Sequence, residues 1–218
     1  MRLVFLGAPG VGKGTQADRV SEVYKIAKIS TGDLLRGAIR DQTTLGLEAK
    51  GYMDQGKLVP DSVVIGLVGE KLNEASSVPG FVLDGFPRTR PQADELGRLL
   101  GEKKMPLDRV VNFEVPREMI IKRLSGRRSC PNCHATYHVD FSPPRKADVC
   151  DRCGESLVQR SDDRREAIET RLKVYEEQTA PLIRYYGEKR LLSHLDASDS
   201  VDAVFAKLTK VLEPYRGT

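Results

Sequence analysis

The sequence contains no tryptophan, and aromatic residues make up only 6% of it. With so few rings and no long block of lysine and arginine, it lacks the stacking platforms and basic tract of a general nucleic-acid binder. No apolar run approaches the roughly 20 residues that cross a bilayer, so no membrane segment is expected. The apolar stretch LVFL behind Met1-Arg2 stops at Gly7, and no small-residue cleavage site follows it. No secretory leader is therefore expected, and a cytoplasmic protein is. Internal repeats and low-complexity segments are absent. Cysteine is scarce, four in 218 residues, but the four fall in two tight pairs.

What is present describes a globular chain. Hydrophobic residues make up 39% and charged residues 30%, and 218 residues suffice for one substantial core with a small inserted module. The formal charge of +4 is a small excess of 35 basic over 31 acidic residues. Small anionic ligands suit it better than a polyanion. Short apolar runs without alternation occur at 2–6, 81–84, 110–115 and 191–195, as in parallel strands covered on both faces. Between them lie helical patterns at 15–24, 63–72, 91–100 and 117–124, and a long one at 164–186. The pattern is α/β with a parallel sheet flanked by helices. Residues 30–59 and 126–163 break it. The first holds two short helical patterns and no strand, and the second holds the cysteines and Pro143-Pro144, so both read as insertions on the α/β core.

Gly7-Ala8-Pro9-Gly10-Val11-Gly12-Lys13 follows a predicted strand and precedes a predicted helix, the context of a P-loop. Its glycines turn backbone N–H groups toward an anion, the helix N-terminus adds positive potential, and Lys13 supplies a full charge. The hydroxyl that usually follows the lysine directly comes one position late, at Thr15 behind Gly14. DGFPR at 84–88 closes the strand 81–84, so Asp84 and Arg88 emerge at the same carboxyl edge of the sheet. An Asp there can hold magnesium through water and an Arg can grip phosphate; a plain turn with Asp84 as a helix cap is the alternative. Arg123 and Arg127 are spaced i, i+4 at a helix end. Arg160 and Arg171 flank the far side of the cysteine segment. Asp162 and Asp163 serve either as helix N-terminal acids or to orient these arginines.

The cysteines read C-x2-C-x16-C-x2-C, the spacing of a tetrahedral structural zinc site formed by Cys130, Cys133, Cys150 and Cys153. Two disulfides are the alternative, disfavoured in the cytoplasm. With four thiolates available, His134 and His138 are expected to pack or hydrogen-bond. Tyr137, Phe141, Val149 and Leu157 are the few large apolar residues the segment offers as a core.

Taken together, GAPGVGKGT, STGDLLR at 30–36, GKLVP at 56–60, LDGFPRT at 83–89 with Gln92, GRR at 126–128 and RSDD at 160–163 make the chain resemble the adenylate kinases, in the long-lid bacterial form with a zinc site. In that family a glycine after the lysine is normal. The resemblance implies a P-loop NTPase-like core at 1–29, 60–125 and 164–218, an AMP-binding subdomain at 30–59 and a zinc-binding lid at 126–163. It implies that Gly10, Val11, Gly12, Lys13, Gly14 and Thr15 hold ATP phosphates, with Arg123, Arg127, Thr136 and Tyr137 on the lid side. Asp199 would stand near the adenine, within a segment, LDASDS at 195–200, that departs from the family pattern and leaves only backbone contact. Thr31, Arg36, Lys57, Leu58, Val59, Gly85, Phe86, Pro87, Arg88 and Gln92 would hold AMP. Arg160 and Arg171 would bridge toward AMP and the transferred group. The implied reaction is MgATP plus AMP giving two ADP, with Lys13, Asp84, Arg88, Arg127, Arg160, Asp162, Asp163 and Arg171 as its catalytic set, magnesium accompanying ATP, and the protein monomeric. The rival readings are a kinase of another nucleoside monophosphate or with GTP as donor, and a zinc-ribbon nucleic-acid-binding ATPase.

Overall fold

The computed structural model describes residues 1–74 and 79–216. Five parallel strands form its central sheet in the order β2-β3-β1-β4-β7: β1 (Arg2–Leu6), β2 (Ala27–Ser30), β3 (Phe81–Asp84), β4 (Arg109–Glu114) and β7 (Leu192–Asp196). Side chains alternate across a strand, and β1 shows why its run is apolar throughout. Leu3 and Phe5 enter one buried cluster while Val4 and Leu6 enter the other. Each such fully buried side chain contributes about 1.5–3 kcal/mol. From β1 the chain passes to β2 and then β3 on one side and crosses to β4 on the other, so the direction of winding switches at β1 and opens a crevice at its carboxyl end, where ligands of α/β sheets bind.

Helices cover both faces: α1 (Lys13–Tyr24), α2 (Thr31–Arg40), α3 (Thr44–Asp54), α4 (Asp61–Glu74), α5 (Arg90–Glu102) and α6 (Arg117–Ser125). The cysteine segment follows, with the antiparallel pair β5 (Arg127–Ser129) and β6 (Thr136–His138). A short 3-10 turn at Ser161–Asp163 leads into α7 (Arg165–Val174), α8 (Pro181–Glu188) and α9 (Val201–Leu212).

Four features depart from the sequence expectations. The helix foreseen over 164–186 is interrupted by a π-turn at Tyr175–Thr179. Arg123 and Arg127 do not share a helix, because α6 closes at Gly126 and Arg127 opens β5. The edge strand β2, AKIS, is too short and mixed in polarity to give a period. Helix α9 completes the core through Val204, Leu208 and Leu212 at i, i+4 and i+8, with Ser200 capping it by accepting from the Ala203 N–H.

Candidate active site

The loop after β1 supports a cavity of about 790 Å³. Gly10 and Gly12 have φ of 85° and 99°, left-handed values that favour glycine, and Gly12 caps α1. Lys13 folds back over the loop and donates to the carbonyls of Gly7 and Ala8 at 2.6 and 2.8 Å. Burial lowers its pKa to about 7, against the opposing pull of Asp84. Gly14 has a local reason: a Cβ there would lie 3.2 Å from Asp84 Oδ2. Thr15 carries the hydroxyl, one position later than in the strict motif.

Across the cavity stand the arginines. Arg88 is pinned by its Nε donating to Gly85 C=O and its backbone N–H donating to Gln92 Oε1, each at 2.8 Å. Arg127 forms a two-pronged pair with Asp163, Nε to Oδ2 at 2.7 Å and Nη2 to Oδ1 at 2.6 Å. Arg171 reaches Asp162 Oδ2 at 2.9 Å and Asp163 Oδ1 at 3.0 Å. Arg160 Nε donates to Ser129 Oγ at 2.7 Å. Burial lowers Arg88 to about 10 and Arg160 to about 9, and neighbouring arginines push both the same way. Burial likewise lowers Arg171. An anion placed among them would offset their mutual repulsion and favour their charged forms.

The cavity lining includes every residue assigned to ATP, from Gly10 through Thr15 to Arg123, Arg127, Thr136, Tyr137 and Asp199. It also includes Thr31, Arg36, the stretch Lys57 to Val59, Gly85, Pro87, Arg88, Gln92, Arg160 and Arg171. Two residues fall outside. Phe86 packs into the core at 0% exposure, and Asp163 lies wholly buried behind Arg127 and Arg171, so it orients arginines rather than facing the cavity. Other side chains are already engaged. Thr31 Oγ1 donates to Gly85 C=O at 2.8 Å, and Gln92 Nε2 donates to Asp61 Oδ1 at 2.7 Å. The Tyr137 hydroxyl accepts from the Asp151 N–H at 2.9 Å, and Arg123 donates to the Val11 and Ser198 carbonyls. Asp199 is paired with Lys207 at 2.8 Å.

Sequence reasoning missed Asp33, whose pairing with Arg36 at 2.6 Å and Lys28 at 3.4 Å orients one wall. Burial works to raise its carboxyl, but Arg36 and Lys28 outweigh burial and hold it well below the usual range. Its signals were its place in the first turn of α2 and within the motif STGDLLR, where only Thr31 and Arg36 were assigned roles.

The four cysteines converge as their spacing predicts. Their sulfurs all lie within 4.8 Å of one another, with Cys130–Cys153 at 3.4 Å and Cys133–Cys150 at 3.5 Å, and no disulfide joins them. A zinc tetrahedron with bonds of about 2.3 Å has edges near 3.8 Å, so the donor set fits that ion. The Cys133 backbone N–H donates to Cys130 Sγ at 3.4 Å, and Tyr137 Oη lies 3.6 Å from Cys150 Sγ, as outer-shell partners do. His138 is structural as expected, its Nδ1 accepting from the Asp140 and Phe141 N–H groups. Phe141, expected in the segment's core, is 54% exposed and stacks on His138 instead. Only Ala135 and Leu157 join Cys130 and Cys150 in the buried cluster.

Among known proteins, the adenylate kinase family model matches residues 5–191. An adenylate kinase of Carboxydothermus hydrogenoformans is 52% identical over 213 residues, covering 98% of this chain and 100% of that protein. One of Thermodesulfovibrio yellowstonii is 52% identical over 98% of this chain and 99% of its own length. One of Methanosarcina acetivorans is 50% identical over 99% of this chain and 100% of its own length. Since these likenesses run from the glycine loop through the cysteine segment to α9, core and insertions alike are accounted for: the chain belongs to the adenylate kinase family of nucleoside monophosphate kinases.

Proposed function

We propose that the protein transfers the terminal phosphoryl group of MgATP to AMP, reversibly, giving two ADP. The observation that carries this reading is one cavity lined together by Lys13, Arg36, Arg88, Arg123, Arg127, Arg160 and Arg171. One end is the glycine loop with Arg123 and Asp199; the other is Thr31, Val59 and Gln92. Phosphoryl transfer needs little covalent help from protein, so positioning and charge neutralisation suffice. Lys13 and Arg127 address the donor phosphates, Arg36 and Arg88 the acceptor phosphate, and Arg160 and Arg171 the group between. Asp162 and Asp163 hold Arg127 and Arg171 in place.

In this reading residues 30–59 bind AMP and residues 126–163 are the lid, on a core of 1–29, 60–125 and 164–218. Two contacts join the insertions, Arg40 Nη1 donating to Pro131 C=O at 3.4 Å and Ser161 Oγ donating to Asp54 Oδ1 at 2.6 Å. They support closure over the reacting groups, which excludes the water that would otherwise accept the phosphoryl group. Magnesium arrives with ATP. The residues suit it: among the described residues neither the Asp84 carboxylate nor the Thr15 hydroxyl is engaged in a hydrogen bond or ion pair, and both stand beside the loop. When bound, the ion neutralises phosphate charge. The cysteine set holds structural zinc, since four protein thiolates leave no open coordination position for chemistry. In this reading the protein is a monomer acting on free nucleotides in the cytoplasm, without nucleic-acid or membrane partners. The unpaired thiols suit a reducing compartment, and among the described residues no helix is long and apolar enough to cross a membrane.

A coupled assay of ATP with AMP, UMP, CMP and GMP, repeated with GTP as donor, tests the proposal. ADP formation strongly favouring ATP with AMP is expected. Preference for another pair would reassign the base sites, and hydrolysis stimulated by nucleic acid would overturn the reading.

A further inference from the structure

The π-turn between α7 and α8 is closed by the Ala180 N–H donating to the Tyr175 carbonyl, five residues back, at 2.8 Å. Its effect is rotational. Arg171 and Thr179 are eight residues apart. At about 100° per residue an unbroken α-helix would set them about 80° apart around its axis, whereas one inserted residue brings them within about 20°. Both line the same cavity.

What Thr179 does there is unusual for a helical threonine, which ordinarily turns its hydroxyl onto a carbonyl three or four residues back. Thr170 does so, donating to Glu166 C=O at 3.0 Å. Thr179 instead donates across 91 residues of sequence to the Arg88 carbonyl at 2.8 Å, from an 8% exposed position. A hydroxyl has one proton, so this bond takes its whole donor capacity. Arg88 is then held at three points: its N–H by Gln92, its Nε by Gly85 and its carbonyl by Thr179.

We propose that Thr179 is a positioning residue for phosphoryl transfer. It fixes the Arg88 backbone from the π-turn and so registers the Arg88 guanidinium against Arg171, which the same helical run carries two turns earlier. The proposal rests on the reading of the cavity as a phosphoryl-transfer site. No part of Thr179 need touch substrate. A regular helix would rotate the hydroxyl away from Arg88.

The test compares Thr179→Val, which removes the hydroxyl at nearly constant shape, with Thr179→Ser, which keeps it, in the full-length metal-loaded protein. Two readouts are taken: steady-state kinetics with ATP and AMP, and the Arg88 Nε–H resonance, identified by its loss in Arg88→Lys. For Thr179→Val we expect kcat to fall roughly tenfold, a fraction of the ~100-fold that a 1 Å misplacement can cost, with KM for ATP changed by less than about twofold. The Nε–H resonance should shift, and Thr179→Ser should restore both. A Thr179→Val protein with native turnover and an unmoved resonance would overturn the proposal, as would a loss of turnover that serine fails to restore. If Thr179→Val does not fold, Thr179→Ala carries the same comparison. Should the wild-type protein fail to phosphorylate AMP, the functional reading falls while the resonance alone still decides whether Thr179 positions Arg88.

Discussion

The sheet core and the cysteine segment are stabilised by different means. The core buries an apolar cluster on each face of β1, including Phe5 and Phe113 on one side and Phe81 and Phe86 on the other. The cysteine segment buries Ala135 and Leu157 beside two sulfurs, and leaves Val139, Phe141 and Val158 at 46%, 54% and 45% exposure. A segment of this size with so little buried surface falls below what apolar burial alone sustains, and the zinc proposed for the four cysteines would substitute for the missing core. Chemistry divides along the same line. The core supplies Lys13, Arg88 and Arg171, while the cysteine segment presents Arg127 and Arg160 from its two flanks. Losing a core arginine should therefore damage turnover, and losing the metal should damage stability first.

The largest expected effect is on turnover. Arg88→Ala should lose mostly kcat, by roughly 2–4 kcal/mol of barrier, if it meets charge that concentrates in the transition state. Arg127→Ala should lose a similar amount but also some stability, since Asp163 is wholly buried and would keep only Arg171 as an ionic partner. Steady-state kinetics with thermal unfolding separates the two cases, and near-native turnover in either variant would remove that arginine from the catalytic set.

Next comes the metal. Cys130→Ser with Cys133→Ser, or treatment with a chelator, should lower the first unfolding transition by at least ~5 °C, equivalent to roughly 2 kcal/mol for a chain of this length. Substantial phosphoryl transfer should survive at low temperature, because Lys13 and Arg88 lie outside the segment. Calorimetry, metal analysis and the coupled assay on one preparation check this. Complete loss of activity while the segment remains folded would contradict a purely structural metal.

Acceptor recognition should show a smaller change. Gln92→Ala is expected to raise KM for AMP roughly tenfold with KM for ATP nearly unchanged. A partial loss of kcat should accompany it, since Gln92 also holds the Arg88 N–H. Equal effects on both nucleotides would mean that the two ends of the cavity are assigned wrongly.

The smallest effect concerns protons. Lys13 has a pKa of about 7 in the unliganded protein because burial penalises its charge, and bound phosphates would raise it. Between those two values the free lysine is largely neutral and the bound one charged. Binding of ATP should therefore take up a fraction of a proton at pH 8, and affinity should weaken as pH rises above about 7. Below that value this dependence disappears, because Lys13 is charged in both states. Titration calorimetry in two buffers of different ionisation enthalpy measures the uptake, and none at pH 8 would show that Lys13 is charged before ligand arrives.

The strands β1, β3 and β4 were legible because both their faces are buried, which writes an apolar run into the sequence. β2 was not, since four residues of mixed polarity at a sheet edge carry no period. Likewise Lys13, Arg88 and the cysteines announce themselves by local spacing, whereas Asp33 is an ordinary first-turn acid until Arg36 and Lys28 are seen beside it.

By itself the sequence determined the chemistry available: an anion-binding loop at a strand end, a surplus of arginines and a four-thiolate set, each encoded within a few neighbouring residues. Tertiary structure alone decided how those groups are aimed. Asp163 serves Arg127 and Arg171 from behind, Gly14 makes room for Asp84, and the π-turn carries Thr179 round to the Arg88 carbonyl. The physical reason is that most of these contacts join residues tens of positions apart, and their energy depends on distances of a few ångströms that only the packed sheet and helices fix.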